Sequence, residues 1–475
     1  MKVIDEFNIP YEINEHFKPG GQGIVWKVDN DDRVVIKTKL SLDAVNNENY
    51  ILTDEIEYEK YANQIKKIKA LCAINNINCV AAPISMLKKP QCGFVMRFMQ
   101  DMEEIDKQIR HSENSKHELD DNFNSSKNKN GSILKKYQVL KNLAKIMSEL
   151  HSHGLVYCDL SPSNVYVSKE PNSHEAWLID VDNLHYSGNG KKIIGTPFYR
   201  APEIFNQSVV TNTFQSDMYS FALVAYQYLT GAKPFEPEDN ADSDSNDFAD
   251  DWCDDIDSAI ESGEVDYVYE HQSKGTFGLP SKYVFTPQVY QLFLRTFNYS
   301  GRHNPNMRPT AYEWYEALSD SLEIICSCSN DHYHIGTRCE WCSATEQTND
   351  NIYFSLKVKS PLQQIYSTTN WDEVIPEISA SPYYEKSKII SYRAGKAKRI
   401  DLAPELFSNS QISAVVTIKK DTLTIDFVSL EDGLRLKPRQ ISWNYKEKPE
   451  GEMFRLLENE KVSREIELST VRNRK

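Results

Sequence analysis

From Leu150 the chain reads Leu-His-Ser-His-Gly-Leu-Val, then Tyr157-Cys158-Asp159-Leu160-Ser161-Pro162-Ser163-Asn164-Val165. The first part reads as a helix end running into a buried strand. The second sets an acid and an amide five residues apart among apolar neighbours. Held on one rigid loop, such a pair suits two tasks in phosphoryl transfer. The carboxylate accepts a hydroxyl proton, and the amide oxygen holds a magnesium ion. That chemistry also needs a phosphate cradle, a cation and a second acid.

Other stretches carry such residues. Lys18 to Val28 is rich in glycine (Gly20, Gly21, Gly23), and glycine lets the backbone approach phosphates closely. Alternating Ile24, Trp26 and Val28, a polar turn at Asn30-Asp31-Asp32, and Val34-Val35-Ile36-Lys37 predict a hairpin ending on a lysine. Asp54 to Leu71 predicts a helix, with Tyr58, Tyr61, Ile65, Ile68 and Leu71 on a helical period. Gly93 to Met99 is a short apolar strand. Ser112 to Gly131 is a polar insertion, and Leu134 to Leu150 predicts the helix that delivers the opening loop. Ala176 to Asp180 is a strand ending in a carboxylate, 21 residues after Asp159.

In this order, together with Gly195-Thr196-Pro197-Phe198-Tyr199-Arg200-Ala201-Pro202-Glu203, residues 12 to 320 resemble a eukaryotic-like Ser/Thr protein kinase domain of the bacterial type. The resemblance implies an ATP site cradled by Gly20, Gly21, Gly23 and Val25. It implies Lys37 on the phosphates, Asp159 as proton acceptor, and Asn164 and Asp180 on Mg2+. It also implies an acid from the Asp54–Leu71 helix holding Lys37. Glu55, Glu57 and Glu59 compete, and Glu57 shares the buried face. Met96 falls at the gatekeeper position, with the backbone of Arg97 and Met99 at adenine. Glu203 should pair with Arg308 of Asn306-Met307-Arg308-Pro309-Thr310, and Asp217 should cap the catalytic-loop backbone.

Four residues of the catalytic centre depart from the pattern. Tyr157-Cys158 replaces His-Arg, so the type is non-RD, and no arginine stands ready for an activation-segment phosphate. Ser161 replaces a lysine that neutralises the γ-phosphate. Asp182 replaces a glycine, which predicts that Asp180 does not flip readily out of the cleft. The alternative reading is a pseudokinase scaffold that binds nucleotide or partners without turnover. A small-molecule kinase is disfavoured by the Glu203 and Arg308 strings.

The net charge of −15 argues against nucleic-acid or anionic-membrane binding. No apolar run spans a bilayer and no h-region opens the chain, so a cytoplasmic protein is expected. Four of the nine cysteines bunch at Cys326, Cys328, Cys339 and Cys342, with His332 and His334 between. In a reducing compartment this predicts structural Zn2+. Cys326, His332, Cys339 and Cys342 are the favoured ligands, with Cys328 and His334 as alternates. The element resembles one that follows the kinase domain in bacterial stress-response kinases, which implies a metal-dependent protein phosphatase and a von Willebrand A-like protein as partners besides the protein substrate. The acidic run from Pro237 to Asp257 reads as a solvated loop or as a docking surface for basic partners.

The expected fold class is α+β: a kinase N-lobe over 1–100, a C-lobe over 101–320, a zinc element over 321–345 and a β-rich module with helical pieces over 346–475. In the last, Ala414 to Val428 reads as a hairpin.

Overall fold

The computed structural model describes residues 2–17, 23–39, 55–75, 77–89, 91–114, 132–190, 193–235, 258–264, 279, 281–328, 330, 332–337, 339–344, 352–361, 383–392, 398–400, 412–419, 421–429, 436–448, 450–458 and 461–470. Gly20, Gly21, most of the polar insertion and all of the acidic run lie outside these residues. The chain divides into two compact units. The first holds Met1–Leu119, Lys135–Ser281 and Pro287–Leu318; the second holds the remainder.

In the first unit, β1 (Lys2–Ile4) and β2 (Pro10–Glu12) form a small ribbon. β3 (Ile24–Lys27), β4 (Val34–Thr38), β5 (Pro83–Met86) and β6 (Gly93–Arg97) form an antiparallel sheet in the order β3-β4-β6-β5. Alternation sends Ile24, Trp26, Ile36 and Val95 into one core with Val3, Tyr11 and Ile13. Helix α1 (Glu55–Ile74) buries Tyr61, Ile65 and Ile68. Tyr61 and Ile65 pack on Phe94 and Met86 of the sheet. The helical period is therefore correct, and the helix runs three residues beyond Leu71.

Next come β7 (Met102–Glu104), α2 (Ile105–Asn114), α3 (Ile133–Ser152), β8 (Leu155–Val156), β9 (Val165–Ser168), β10 (Ala176–Leu178) and β11 (His185–Tyr186). β10-β9-β7 form one sheet, and β11 pairs with β8. α4 (Pro202–Phe205) precedes the central helix α5 (Phe214–Thr230), which is apolar nearly all round and buried along its length. Thr213 and Ser216 cap it reciprocally, and Gly231 ends it at φ 77°. α6 (Pro287–Phe297) and α7 (Ala311–Leu322) pack aromatic rings against it. The Trp314 ring lies 5.2 Å from Phe221 and 5.1 Å from Phe293.

The ion pair expected from two distant strings forms at the foot of α5. Arg308 Nη1 and Nη2 each donate to a Glu203 carboxylate oxygen at 2.7 Å, and Nε donates to the Gly301 carbonyl at 2.7 Å. Arg308 is buried, so this bidentate pairing satisfies charges that water cannot reach.

In the second unit, β12 (Ile325–Ser327) and β13 (Tyr333–Ile335) form a short hairpin with Cys326 opposite His334. The remaining strands are β14 (Ile352–Pro361), β15 (Tyr383–Tyr392), β16 (Lys398–Ile400), β17 (Ile412–Lys419), β18 (Thr422–Ser429), β19 (Leu436–Lys437), β20 (Gln440–Asn444), β21 (Glu452–Glu458) and β22 (Lys461–Thr470). They make a five-stranded sheet, β15-β14-β22-β21-β19, and a four-stranded sheet, β16-β17-β18-β20. One core joins both sheets, with Phe354, Leu356 and Leu468 from the first and Leu423, Ile425 and Trp443 from the second. β17 and β18 pair Lys419 with Thr422, which is the hairpin read from the sequence. The expected helical pieces do not occur among the described residues after 346. Period-2 burial on both sheets leaves no apolar stripe for a helix to cover. Among the described residues no helix is long and apolar enough to cross a membrane.

Replacing Arg308 with Ala leaves the Glu203 carboxylate buried without its cation. Urea unfolding should show a stability loss of about 3–5 kcal/mol. A loss below ~1 kcal/mol would show that the pair is not structural.

Candidate active site and a Cys/His cluster

Three elements of the first unit meet at Lys37. β4 carries it, with Val25 of β3 directly opposite in the ladder. A β-carbon on Gly23 would lie 2.4 Å from the Thr38 carbonyl oxygen, so only glycine lets β3 begin this close to β4. The Lys37 ammonium is buried. It donates to Asp180 Oδ1 at 2.7 Å and to Asp182 Oδ2 at 2.8 Å, across 143 and 145 residues of chain. Burial pulls the Lys37 pKa down, but Asp182 and Asp180 more than offset this and hold it above the ordinary lysine value. Burial pushes the Asp182 pKa up, aided by its neighbour Asp180 and opposed by Lys37.

Asp180 follows β10 and sits at φ 58°, ψ 54°, a left-handed conformation that Asp tolerates better than most residues. The turn Val181–Asn183 follows directly and brings Asp182 back beside Lys37. Asp180 thus faces the lysine in this structure.

The Asp159 loop is fixed from behind by one acid. The Asp217 carboxylate, on α5, accepts the backbone N–H of Tyr157 at 2.8 Å and of Cys158 at 2.8 Å. His151 Nε2 lies 3.1 Å from the same carboxylate. This clamp holds Cys158 at φ 82°, which a residue with a β-carbon rarely adopts. Tyr157 donates its hydroxyl to the Ile179 carbonyl and so ties the loop to the residue before Asp180. Asn164 Nδ2 donates to the Asp159 carbonyl at 2.8 Å. From the activation segment, Thr196 donates its hydroxyl to Asp159 Oδ1 at 2.7 Å, so a hydroxyl reaches this carboxylate. The arrangement can hold phosphates by a cation, hold a hard metal ion by oxygen donors and accept a proton from a hydroxyl.

The departures from the kinase pattern have local explanations. The Cys158 thiol lies within 3.4 Å of His185 Nδ1, inside the fold, and burial pushes its pKa far up, so it stays neutral. Ser161 is buried, with Oγ 3.0 Å from Ser163 Oγ, so it is no surface substitute for a lysine.

Of the other predicted residues, Met96 is half-buried in β6 opposite Val35, and the Arg97 guanidinium lies 5.1 Å from the Trp177 ring centroid. Met99 lies just past β6. Glu57 is on α1, but its side chain is outside the described residues. Among the described residues, the acids bonded to Lys37 are Asp180 and Asp182. The sequence reading missed Asp182 as a partner, because it registered there only the loss of a glycine.

In the second unit, the ligand atoms of Cys328, His332, Cys339 and Cys342 all lie within 4.8 Å of one another, and all four residues are buried. Cys328 N–H donates to the His332 carbonyl at 2.9 Å, which closes the tip of the hairpin. Cys339 and Cys342 approach this tip, with sulfurs 3.8 and 3.5 Å from His332 Nδ1. The geometry groups Cys328 with them, not the favoured Cys326. Cys326 lies within β12, further from the tip, with its thiol 3.7 Å from the Ile324 carbonyl, whereas Cys328 follows the strand. His334, opposite Cys326, is likewise outside the group.

Known proteins point the same way. The chain is 35% identical over 106 residues to "Serine/threonine-protein kinase RUNKEL" of Arabidopsis thaliana, covering 21% of this chain and 7% of that protein. It is 31% identical over 106 residues to "Serine/threonine-protein kinase pkn2" of Myxococcus xanthus, covering 21% and 12%. It is 30% identical over 120 residues to "Serine/threonine-protein kinase PKZ1" of Phytophthora infestans, covering 22% and 30%. The chain thus spans less than a third of each of these relatives. The family model for the protein kinase domain matches residues 22–316, more than half of the chain, and with it the cleft just described: this chain belongs to the protein kinase family.

Proposed function

We propose that this protein is a Ser/Thr protein kinase of the non-RD type, moving the γ-phosphate of ATP to hydroxyls of a protein partner. The observation that carries the reading is the Lys37–Asp180 pair at 2.7 Å, in a cleft whose Asp159 already engages a threonine hydroxyl. Lys37 binds the phosphates. Asp159 orients the substrate hydroxyl and accepts its proton. Gly20, Gly21, Gly23 and Val25 cradle the nucleotide, Met96 lines the adenine pocket, and the backbone of Arg97 and Met99 reads adenine.

Asn164 and Asp180 would hold magnesium, which neutralises phosphate charge when bound. The residues fit it. The Asn164 amide nitrogen is spent on the Asp159 carbonyl, which leaves the amide oxygen as a hard donor, and Asp180 already faces a cation. A specific observation favours the pseudokinase alternative: buried Ser161 offers no charge at the γ-phosphate. In the second unit we assign a structural zinc to Cys328, His332, Cys339 and Cys342. Three soft sulfurs and an imidazole, buried together, suit tetrahedral zinc. On sequence resemblance alone, the proposed partners are a metal-dependent protein phosphatase and a von Willebrand A-like protein. A cytoplasmic location is part of this proposal, supported by a Cys/His cluster suited to a reducing compartment.

Purified protein with labelled ATP and magnesium should phosphorylate a Ser/Thr protein substrate. Asp159→Asn and Asp180→Asn should each lower kcat by about 10²–10⁴-fold. No transfer by the wild type would leave the scaffold reading.

Without an arginine beside Asp159, activity should not depend on a phosphorylated activation segment. Protein treated with a phosphatase and repurified should keep its initial rate within about twofold. A loss of tenfold or more would refute the non-RD assignment.

Elemental analysis should find zinc in the wild type and in Cys326→Ser but not in Cys328→Ser. A strong chelator should lower the melting temperature of the wild type. Zinc lost from Cys326→Ser instead would reverse the ligand assignment.

A further inference from the structure

Among the described residues, no acid of helix α1 holds Lys37. Gln64 Nε2 on that helix donates to the Asp182 backbone carbonyl at 2.6 Å, and buried Tyr61 lies close enough for Asp182 to raise its pKa. Neither residue is an acid. Glu55 and Glu59 are exposed and pair with Lys89, at 2.9 and 3.6 Å. Only Glu57, whose side chain is not described, stands as a rival.

We propose that Asp182 is the positioning residue that anchors Lys37 for phosphate binding, in place of a helix acid; the inference rests on the kinase reading above. Asp182 Oδ2 and Lys37 Nζ are 2.8 Å apart, and both side chains are almost wholly buried, at 5% and 8% exposure. Asp182 Oδ1 is also buried and has no hydrogen-bond partner among the described residues, so the carboxylate depends on this one cation. Asp180 is the acid proposed above to hold magnesium, so its carboxylate would be shared between the metal and the lysine. Asp182, two residues further along, is too deeply buried to be shared in this way and stays with the lysine. One short turn therefore supplies both the metal acid and the lysine anchor. Among the described residues, helix α1 touches this turn through the neutral amide of Gln64.

The test is the titration of Lys37, read by its pH-dependent acetylation with acetic anhydride and peptide mass spectrometry on the full chain. Asp182→Asn should lower the Lys37 midpoint by about 1–3 pH units. It should lower kcat/KM for ATP on the order of a hundredfold, through misplacement of the ammonium. Glu57→Gln should move both quantities less. Asp182→Ser, with a smaller side chain, gives the same reading should the Asn variant fail to fold. An unmoved Lys37 midpoint in these Asp182 variants, or a larger shift in Glu57→Gln, would overturn the proposal. Labelling reads Lys37 whether or not the protein turns over. A wild type without transfer therefore refutes the kinase reading and leaves this measurement to decide the anchor.

Discussion

A buried ammonium is costly unless it is paired, and the first unit is arranged around one. Lys37 sits inside the fold on β4, and its two carboxylates come from a turn more than 140 residues away. For that pairing to exist, β10 must end so that Asp180 takes a left-handed conformation, and the next turn must fold Asp182 back beside it. β3 must also lie close over β4, which glycine at 23 allows. A solvent-exposed lysine would need none of this.

The Asp159 side of the cleft depends on a second buried acid. Asp217 accepts two backbone N–H groups from the Asp159 loop and so holds Cys158 in a conformation it would not choose. Asp217 is itself presented by α5, whose reciprocal cap and ring of packed aromatics make it the firmest element of this unit. Rigidity thus passes from an apolar core to a backbone loop through charge-assisted hydrogen bonds. Tyr157 adds a tie to Ile179. The residues that replace the familiar His-Arg pair are therefore not gaps. One reinforces the loop, and the other fills the interior against His185.

Much of the kinase unit was legible in the chain because its signals are local or come as matched strings. The 3.6-residue period of α1, the alternation of β3 and β4 and the reciprocal demand of Glu203 and Arg308 each carry their own physical reason. The β17–β18 hairpin was legible for the same reason, from two alternating runs with a two-residue turn between them. The acid that holds Lys37 was not legible. The resemblance to kinases implies a helix acid, whereas the described contacts are with Asp180 and Asp182, and at Asp182 the resemblance registers only a missing glycine.

The cysteine hairpin shows the same boundary at smaller scale. Its composition and Cys-x-x-Cys spacing announce a metal site. Cys326 and Cys328 are two residues apart, and the sequence reading favours Cys326 with Cys328 as the alternate. The fold separates them by depth: His332 closes the tip beside Cys328, and Cys339 and Cys342 arrive there. By itself the sequence determined the main elements of the kinase unit and their order, Asp159, Asn164 and Asp180 as residues of the cleft, and the presence of a Cys/His cluster. The tertiary structure alone decided which carboxylate meets the lysine and which cysteine joins the cluster, because both are fixed by distances between segments that no local pattern encodes.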